Sequence, residues 1–181
     1  MTLLVAFLRG INVGGRTVKK ELLREAFRLL GLQNVVTFKQ SGNVIFETDA
    51  KDIDEVKARI EDKLRNTLGY DTTVFVRTIP QLRNIIELNA FAGQERDGAS
   101  FLVTMLPSTC AKFSLELPLT IPKSKAKIIS ANGAEVFTIT HGGGEGALPN
   151  PFVESKLRVK ATTRNINTLK EIVDKFGGYK G

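Results

Sequence analysis

The sequence has almost none of the residues on which metal and redox chemistry usually depends. Its 181 residues include one cysteine, Cys110, one histidine, His141, and no tryptophan. A single cysteine excludes an internal disulfide, and a single histidine excludes a histidine-based metal site. We therefore expect no metal or cofactor. A lone cysteine is also typical of the reducing cytoplasm, which is the compartment we expect.

The apolar run at the N-terminus is too short to cross a membrane. It covers Leu3–Leu8, whereas a membrane-spanning helix needs roughly 20 residues. Only Met1 and Thr2 precede it, with no basic residue and no cleavage site, so a signal peptide is not expected. We expect no membrane partner.

The composition is that of an ordinary globular protein with an excess of positive charge. The sequence is 42% hydrophobic and 25% charged, and its net charge is +7. This excess permits contact with nucleic acid without requiring it. The chain has two tyrosines, and Phe7 and Phe46 lie among Leu, Val and Ile in the sequence. Both phenylalanines are therefore predicted to lie in the core. An exposed aromatic surface for stacking nucleic-acid bases is poorly supported.

The first half of the chain is predicted to fold in the order β-α-β-β-α-β. A strand over 2–9 precedes a helix over 17–30, which Gly31 ends. A hairpin with Ser41-Gly42 in its turn, a helix over about 51–68 and a strand over 72–77 follow. Each helix is expected to bury one apolar stripe: Val18, Leu22, Ala26 and Leu29 in the first, and Ile53, Val56, Ile60 and Leu64 in the second.

The second half of the sequence is similar in order to the first. SFLVTMLP at 100–107 resembles LLVAFLRG at 3–10, and AKIISANGAEVFTIT at 126–140 resembles the first hairpin. Helices are expected over 80–88, over 108–116 and at the C-terminus from Ile166 to Phe176. The pattern predicts an α+β fold of tandem ferredoxin-like (βαββαβ) repeats with antiparallel sheets. Its expected divisions are a first subdomain, 1–78, a helix and linker, 79–98, and a second subdomain with the C-terminal helix, 99–181.

The glycine-rich segment after the first strand, RGINVGGRT at 9–17, differs by one residue from a phosphate-binding P-loop. Arg16 stands where that loop has lysine, and the predicted hairpin makes the sheet antiparallel rather than parallel. We therefore reject a Walker-type site. Two interpretations of Arg9, Asn12 and Gly14-Gly15 remain: a tight turn with solvated arginines, or an anion site built from backbone amides and arginine.

Three other segments were considered for chemistry. HGGG at 141–144 is similar to a lipase oxyanion loop, but the chain has no G-x-S-x-G nucleophile. Cys110 has no second cysteine to act with. In ATTRN at 161–165, Thr162 or Thr163 is expected to cap the last helix, which sets Arg164 in its first turn. A cation there is unfavourable unless it meets a carboxylate or a bound anion.

Three blocks of the sequence, in order, resemble the bacterial family called domain of unknown function 1697. They are Arg9–Gly15, Gln40–Asn43, and Thr163–Asn165 with Asn167 and Thr168. The resemblance implies a tandem ferredoxin-like fold and implies no activity. The segment HGGGEGALPNP, where the resemblance leads us to expect a short connection, departs from the pattern.

The preferred interpretation is a non-catalytic module that binds an anionic ligand, either a small molecule such as a nucleotide or phosphate, or a segment of RNA. The alternatives are a metal-independent enzyme of unknown reaction and a structural or assembly protein. The turn after the first strand and the first hairpin are expected at opposite ends of their sheet, which makes RGINVGG with TTRN the preferred pair. The candidate ligand-binding residues are Arg9, Asn12, Gly14, Gly15, Gln40, Ser41, Asn43, Thr163, Arg164 and Asn165.

Overall fold

The computed structural model describes residues 1–11, 17–39, 42–95, 97–108, 115–142 and 148–178. In these residues the chain forms five helices and two antiparallel sheets, which confirms the predicted α+β class. Contacts divide it into two units, Met1–Gln81 together with the chain from Phe176 onward, and Leu82–Lys175. None of the helices in the described part is long and apolar enough to cross a membrane.

The first unit contains a four-stranded sheet. Its elements are β1 (Thr2–Leu8), α1 (Lys20–Arg28), β2 (Gln33–Phe38), β3 (Asn43–Thr48), α2 (Ile53–Leu68) and β4 (Val74–Thr78), and α3 (Ile79–Glu87) begins directly after β4. The spatial order is β2-β3-β1-β4, and every neighbouring pair is antiparallel. The element order β-α-β-β-α-β agrees with the sequence prediction.

The helix α2 shows how local sequence sets both ends of an element. Asp52 caps its N-terminus, since its Oδ1 accepts hydrogen bonds from the amides of Asp54 and Glu55 at 3.0 and 3.1 Å. Gly69 ends it in a left-handed conformation at φ 77°. The predicted stripe is confirmed: Ile53 is half-buried, and the other members are buried, namely Val56, Ile60 and Leu64.

The predicted stripe of the first helix is confirmed at Ala26 and Val18 and wrong at its two leucines. Leu22 is 42% exposed and Leu29 is 63% exposed, whereas Leu23, Ala26 and Phe27 are buried. The predicted and the observed sets of buried residues both have helical spacing. The observed set is buried because the large ring of Phe27 packs edge-on against Phe46, with 5.4 Å between ring centroids. Phe7 and Phe46 are fully buried, as predicted.

The second unit contains a five-stranded sheet with the order β6-β7-β8-β5-β9. Omitting the two-residue β6, this order repeats that of the first sheet. The described elements are β5 (Ala99–Met105), β6 (Leu119–Thr120), β7 (Ala126–Asn132), β8 (Glu135–His141), α4 (Asn150–Leu157), β9 (Thr162–Asn165) and α5 (Ile166–Phe176). Six of the nine residues of the predicted helix over 108–116 lie outside the described residues, and Cys110 is one of them.

Candidate functional site

The segment after β1 and the β2–β3 hairpin lie at the same end of the first sheet. In the register of β1 against β3, Phe7 lies opposite Asn43. The amide of Leu8 donates to the carbonyl oxygen of Gly42 at 2.8 Å. The expectation of opposite ends was therefore wrong. Because β3 runs antiparallel to β1, the hairpin that precedes β3 must meet the residues that follow β1.

We call this region, formed by Leu8–Ile11 and Gly42–Asn43, the loop end of the first sheet. Gly42 is its contact point. It has φ +69°, and a Cβ placed on it would lie 3.2 Å from the Cβ atoms of both Leu8 and Ile11. A glycine is therefore required here for its conformation and for the close packing of the two segments.

The backbone of Arg9 is held by a neighbouring segment. Its amide donates to the carbonyl oxygen of Thr73 at 2.8 Å, directly before β4, and its side chain is half-buried. Gly10 follows at φ +79°, with no atom within 4 Å of the position a Cβ would take. The chain thus leaves the sheet through a fixed turn. The next candidates, Asn12, Gly14 and Gly15, lie outside the described residues.

The hairpin motif contains one described candidate, Asn43. It is buried, with 1% of its surface exposed, and its Nδ2 donates to the carbonyl oxygen of Phe38 at 3.0 Å, across the turn. This bond closes the hairpin from within. Gln40 and Ser41, which complete the motif, lie outside the described residues.

The third motif forms a strand rather than a helix cap. Thr162–Asn165 is β9, and α5 begins at Ile166. The cap is Asn165, whose Oδ1 accepts from the amide of Asn167 at 2.9 Å. The expectation that Thr162 or Thr163 caps the helix was wrong, because β9 pairs with β5 and this pairing holds both threonines in extended backbone.

The side chain of Thr163 is part of a hydrogen-bonded chain in the second unit. Its hydroxyl donates to Oδ1 of Asn150, on α4. It lies 2.7 Å from the hydroxyl of Thr104, on β5. Since the Thr163 proton is directed to Asn150, Thr104 is the donor of the second bond. Thr163 thereby joins β9 to both α4 and β5.

Arg164 is buried in the second unit, with 8% of its surface exposed. Its Nη1 donates to the hydroxyl of Thr162 at 2.9 Å and to the carbonyl oxygen of Thr163 at 2.8 Å. Burial lowers the pKa of Arg164 to about 10. The guanidinium is therefore charged at neutral pH, and the surrounding oxygens stabilise that charge.

Sequence reasoning missed a cavity of about 530 Å³ in the first unit. Leu3, Arg28, Asn34 and Glu47 are among the residues that line it. Glu47 is buried, with 3% of its surface exposed. One signal was present in the sequence: strand alternation sets Glu47 on the same face as the apolar Ile45, where a charged residue is unusual.

The described residues contain no group of three or more His, Cys, Asp and Glu side chains that could hold a metal ion. His141 ends β8 with an exposed side chain. Gly143 and Gly144 of the HGGG segment lie outside the described residues.

Comparisons with known proteins identify a family and a fold. The family model described as "Protein of unknown function (DUF1697)" matches residues 1–137, a range that includes RGINVGG and QSGN but not TTRN. A solved structure of a conserved bacterial protein from Streptococcus pneumoniae is similar, with a TM-score of 0.68 over 98% of this chain and 99% of that chain. At 20% sequence identity, this similarity shows the fold alone. The comparison with curated proteins finds no match.

Proposed function

Since the chain belongs to the DUF1697 family, whose function is unknown, we propose a function from the site itself: a non-catalytic module that binds the phosphate group of an anionic ligand. The site is the loop end of the first sheet. The ligand is either a small molecule, a nucleotide or inorganic phosphate, or a segment of RNA, and all of these present the same phosphate chemistry.

The observation that carries this proposal is the hydrogen bond between Leu8 and Gly42. It joins the residue directly before RGINVGG to the glycine of QSGN, which lies 34 residues further along the chain. A left-handed Gly10 directs the chain out of the sheet beside Arg9. Consecutive backbone amides beside a glycine turn form concave anion sites, and an arginine adds a charged, forked donor.

The proposed ligand contacts come from both motifs. Arg9 supplies the charge, and the backbone amides of the glycine-rich segment supply further donors. The net charge of +7 favours the approach of any anion. The proposed residues of this site are Arg9, Asn12, Gly14, Gly15, Gln40, Ser41 and Asn43.

Thr163, Arg164 and Asn165 are proposed as further ligand-binding residues, in the second unit. Each of them also has an internal partner: Thr163 bonds Asn150, Arg164 bonds Thr162, and Asn165 caps α5. Because Thr163 and Asn165 are already bonded to Asn150 and to the amide of Asn167, a ligand role for these two requires exchange of those bonds. Arg164 has the strongest case, since a buried cation gains from a nearby anion.

The assignment of the two units to a named fold is a further proposal. We propose that each unit is a ferredoxin-like repeat, supported by the matching strand orders β2-β3-β1-β4 and β7-β8-β5-β9. The proposed divisions are 1–78, 79–98 and 99–181. We also propose a cytoplasmic location, which the single cysteine supports.

A thermal-shift titration tests the function, with inorganic phosphate, ATP and a short RNA oligomer as probes at low and moderate salt. A ligand at about 100 times its dissociation constant stabilises the folded state by roughly 2.7 kcal/mol, which raises Tm by several degrees. Arg9→Ala should weaken the response to the bound probe at least about tenfold, because a charged hydrogen bond is lost. Lys51→Ala removes the same charge from an exposed position with no described partner, and should leave the response unchanged.

The probes separate the sources of the phosphate. A response to ATP and phosphate that persists at moderate salt indicates a small-molecule site, whereas a response to RNA alone indicates a nucleic-acid site. The contrary result is a response that fades with salt for every probe and that Arg9→Ala and Lys51→Ala reduce equally. It would reject the proposal, because it indicates only a general attraction of anions to a basic protein.

A further inference from the structure

Lys39 has a backbone conformation that lysine rarely adopts. Its φ is 56°, in the left-handed region where glycine and asparagine are the usual residues. It directly follows β2, at the start of the connection to β3, and its side chain is exposed. A strained residue persists only where the surrounding structure holds it, and such residues are concentrated at ligand sites. This observation favours a functional role for the Lys39 side chain.

The register of the first sheet places Lys39 near Arg9. Phe38 and Phe7 both lie opposite Asn43, one on each side of it, so they occupy one row across β2, β3 and β1. Neighbouring strands are about 4.8 Å apart, which separates the ends of β2 and β1 by roughly 10 Å. Lys39 is the first residue after Phe38, and Arg9 is the second residue after Phe7. The two cationic side chains therefore begin at backbone positions roughly 10 Å apart.

Contacts hold both backbone positions in place. Nδ2 of Asn43 donates to the carbonyl oxygen of Phe38 at 3.0 Å, and the ring of Phe38 packs edge-on against Phe176, with 6.2 Å between ring centroids. The ammonium of Lys39 lies 5.8 Å from the centroid of the Phe38 ring, within the roughly 6 Å range of a cation–π contact. The backbone of Arg9 is held through its amide. Little ordering is therefore needed when a ligand binds.

We infer that the ligand of the loop end carries two or more linked phosphate groups, as a nucleoside diphosphate or triphosphate does, and that Lys39 is its second cationic contact. The inference rests on the proposed phosphate site. Arg9 pairs with one phosphate, and the ammonium of Lys39 leaves the ring of Phe38 and pairs with the next. The long, flexible stem of a lysine lets it approach a ligand held by Arg9. Inorganic phosphate contacts Arg9 alone.

The number of cations favours a small ligand over a nucleic acid. The described residues of the loop end, taken together with Lys39, provide two cationic side chains, Arg9 and Lys39. Proteins that bind nucleic acid strongly through its backbone make roughly 6–10 phosphate contacts. Two cations beside a glycine turn instead match the charge of one diphosphate group.

Isothermal titration calorimetry of the full chain with inorganic phosphate and with pyrophosphate, in EDTA at moderate salt, tests the inference. Pyrophosphate should bind at least about tenfold more tightly, because it gains a second charged hydrogen bond. Lys39→Gly should remove most of this preference. Its affinity for phosphate should change less than about twofold, because exposed charges that far apart are largely screened. Arg9→Ala should weaken the binding of both. ADP and AMP repeat the comparison with nucleotides.

Two further variants separate a ligand contact from a structural role. Lys51→Gly is the matched control, since it removes the same side chain from an exposed position beyond the other end of β3, and it should leave both affinities unchanged. Lys39→Arg keeps the charge and should keep the preference for pyrophosphate. Glycine relieves the left-handed strain, so Lys39→Gly should not lower Tm although it weakens binding. A structural role would lower both.

The outcomes distinguish this inference from the proposed site on which it rests. Pyrophosphate that binds no more tightly than phosphate, or a preference that Lys39→Gly and Lys51→Gly reduce equally, would overturn the inference. Phosphate binding that depends on Arg9 would still support the site. Absence of binding for both probes would overturn the two together. A short RNA oligomer that binds more tightly than pyrophosphate and depends on Lys39 would overturn the inference in favour of a nucleic-acid surface.

Discussion

The amide of Leu8 donates to the carbonyl oxygen of Gly42 at 2.8 Å, which ties the end of β1 to the turn before β3. This bond sets Arg9–Ile11, the described part of RGINVGG, beside Gly42 and Asn43 of QSGN at one end of one sheet. Gly42 makes the contact possible, because its missing Cβ leaves room for the side chains of Leu8 and Ile11. The proposed site therefore depends on a backbone arrangement and not on one catalytic side chain.

Gly42→Ala should destabilise the protein more than Gly10→Ala does. Both glycines have positive φ, so each alanine pays a conformational cost of about 1–2 kcal/mol. Gly10 has open space around it, whereas a Cβ on Gly42 meets two side-chain atoms at 3.2 Å. This overpacking should cost roughly a further 1–3 kcal/mol.

Urea unfolding of the two glycine variants measures this difference directly. Gly10→Ala is the control, since it has the same strain without the steric contact. Equal losses of stability in both variants would mean that the close packing of Gly42 against Leu8 and Ile11 contributes nothing.

Thr163→Val should destabilise the protein by about 1–3 kcal/mol, because it removes the hydrogen bonds that Thr163 makes with the hydroxyl of Thr104 and with Oδ1 of Asn150. Thr104 is fully buried and cannot bond to water instead. In the double variant with Thr104→Val, the second substitution should cost less than it does alone. Chemical unfolding of both single variants and the double variant gives the coupling. Strictly additive effects would contradict a direct bond between the two hydroxyls.

Asn165→Ala should cost about 1 kcal/mol of stability, because Asn165 caps α5 through its side chain. Asn167→Ala, two residues later, changes an exposed side chain and keeps the backbone amide that receives the cap. It should have little effect. A thermal unfolding comparison in which Asn167→Ala is the more damaging change would argue against the assigned cap.

Arg164 should make stability rise with pH at high pH. Burial lowers its folded-state pKa from the ordinary arginine value to about 10, so above pH 10 the folded state releases the proton before the unfolded state does. The wild type should then gain stability relative to Arg164→Met, by at most about 1.4 kcal/mol per pH unit. Between pH 6 and 9 the difference should be constant. Urea unfolding of both proteins at pH 7, 9 and 10.5 checks the sign, and a relative loss for the wild type above pH 10 would contradict it.

The sequence was sufficient for elements with long patterns or clear end signals. The apolar stripe of α2 and the glycine at position 69 were enough to predict that helix and its end. The apolar alternation in the two hairpins was enough to predict antiparallel sheets. The predicted stripe of the first helix was wrong at Leu22 and Leu29, because a second apolar set has the same spacing and the packing of Phe27 on Phe46 selects it. Such a choice depends on the tertiary partner, which local sequence does not contain.

The candidate site was less predictable for a similar reason. The four residues of β9 are too few to show alternation, so TTRN was interpreted as a helix start, although pairing with β5 makes it a strand. The contact between Leu8 and Gly42 follows from the antiparallel register, in which Phe7 lies opposite Asn43. The cavity around Glu47 is lined by residues of β1, α1, β2 and β3, and no single segment of sequence reveals it.

The most direct test of the proposed function is to locate phosphate on the protein. Amide chemical shifts in a ¹⁵N-labelled sample should be recorded while inorganic phosphate, and separately ATP, is added at moderate salt. The account predicts saturable shifts concentrated on the amides of Leu8–Ile11 and Gly42–Asn43, which Arg9→Ala removes and Lys51→Ala keeps. Shifts confined to other parts of the chain, or shifts that grow linearly without saturation, would contradict an anion site at the loop end of the first sheet.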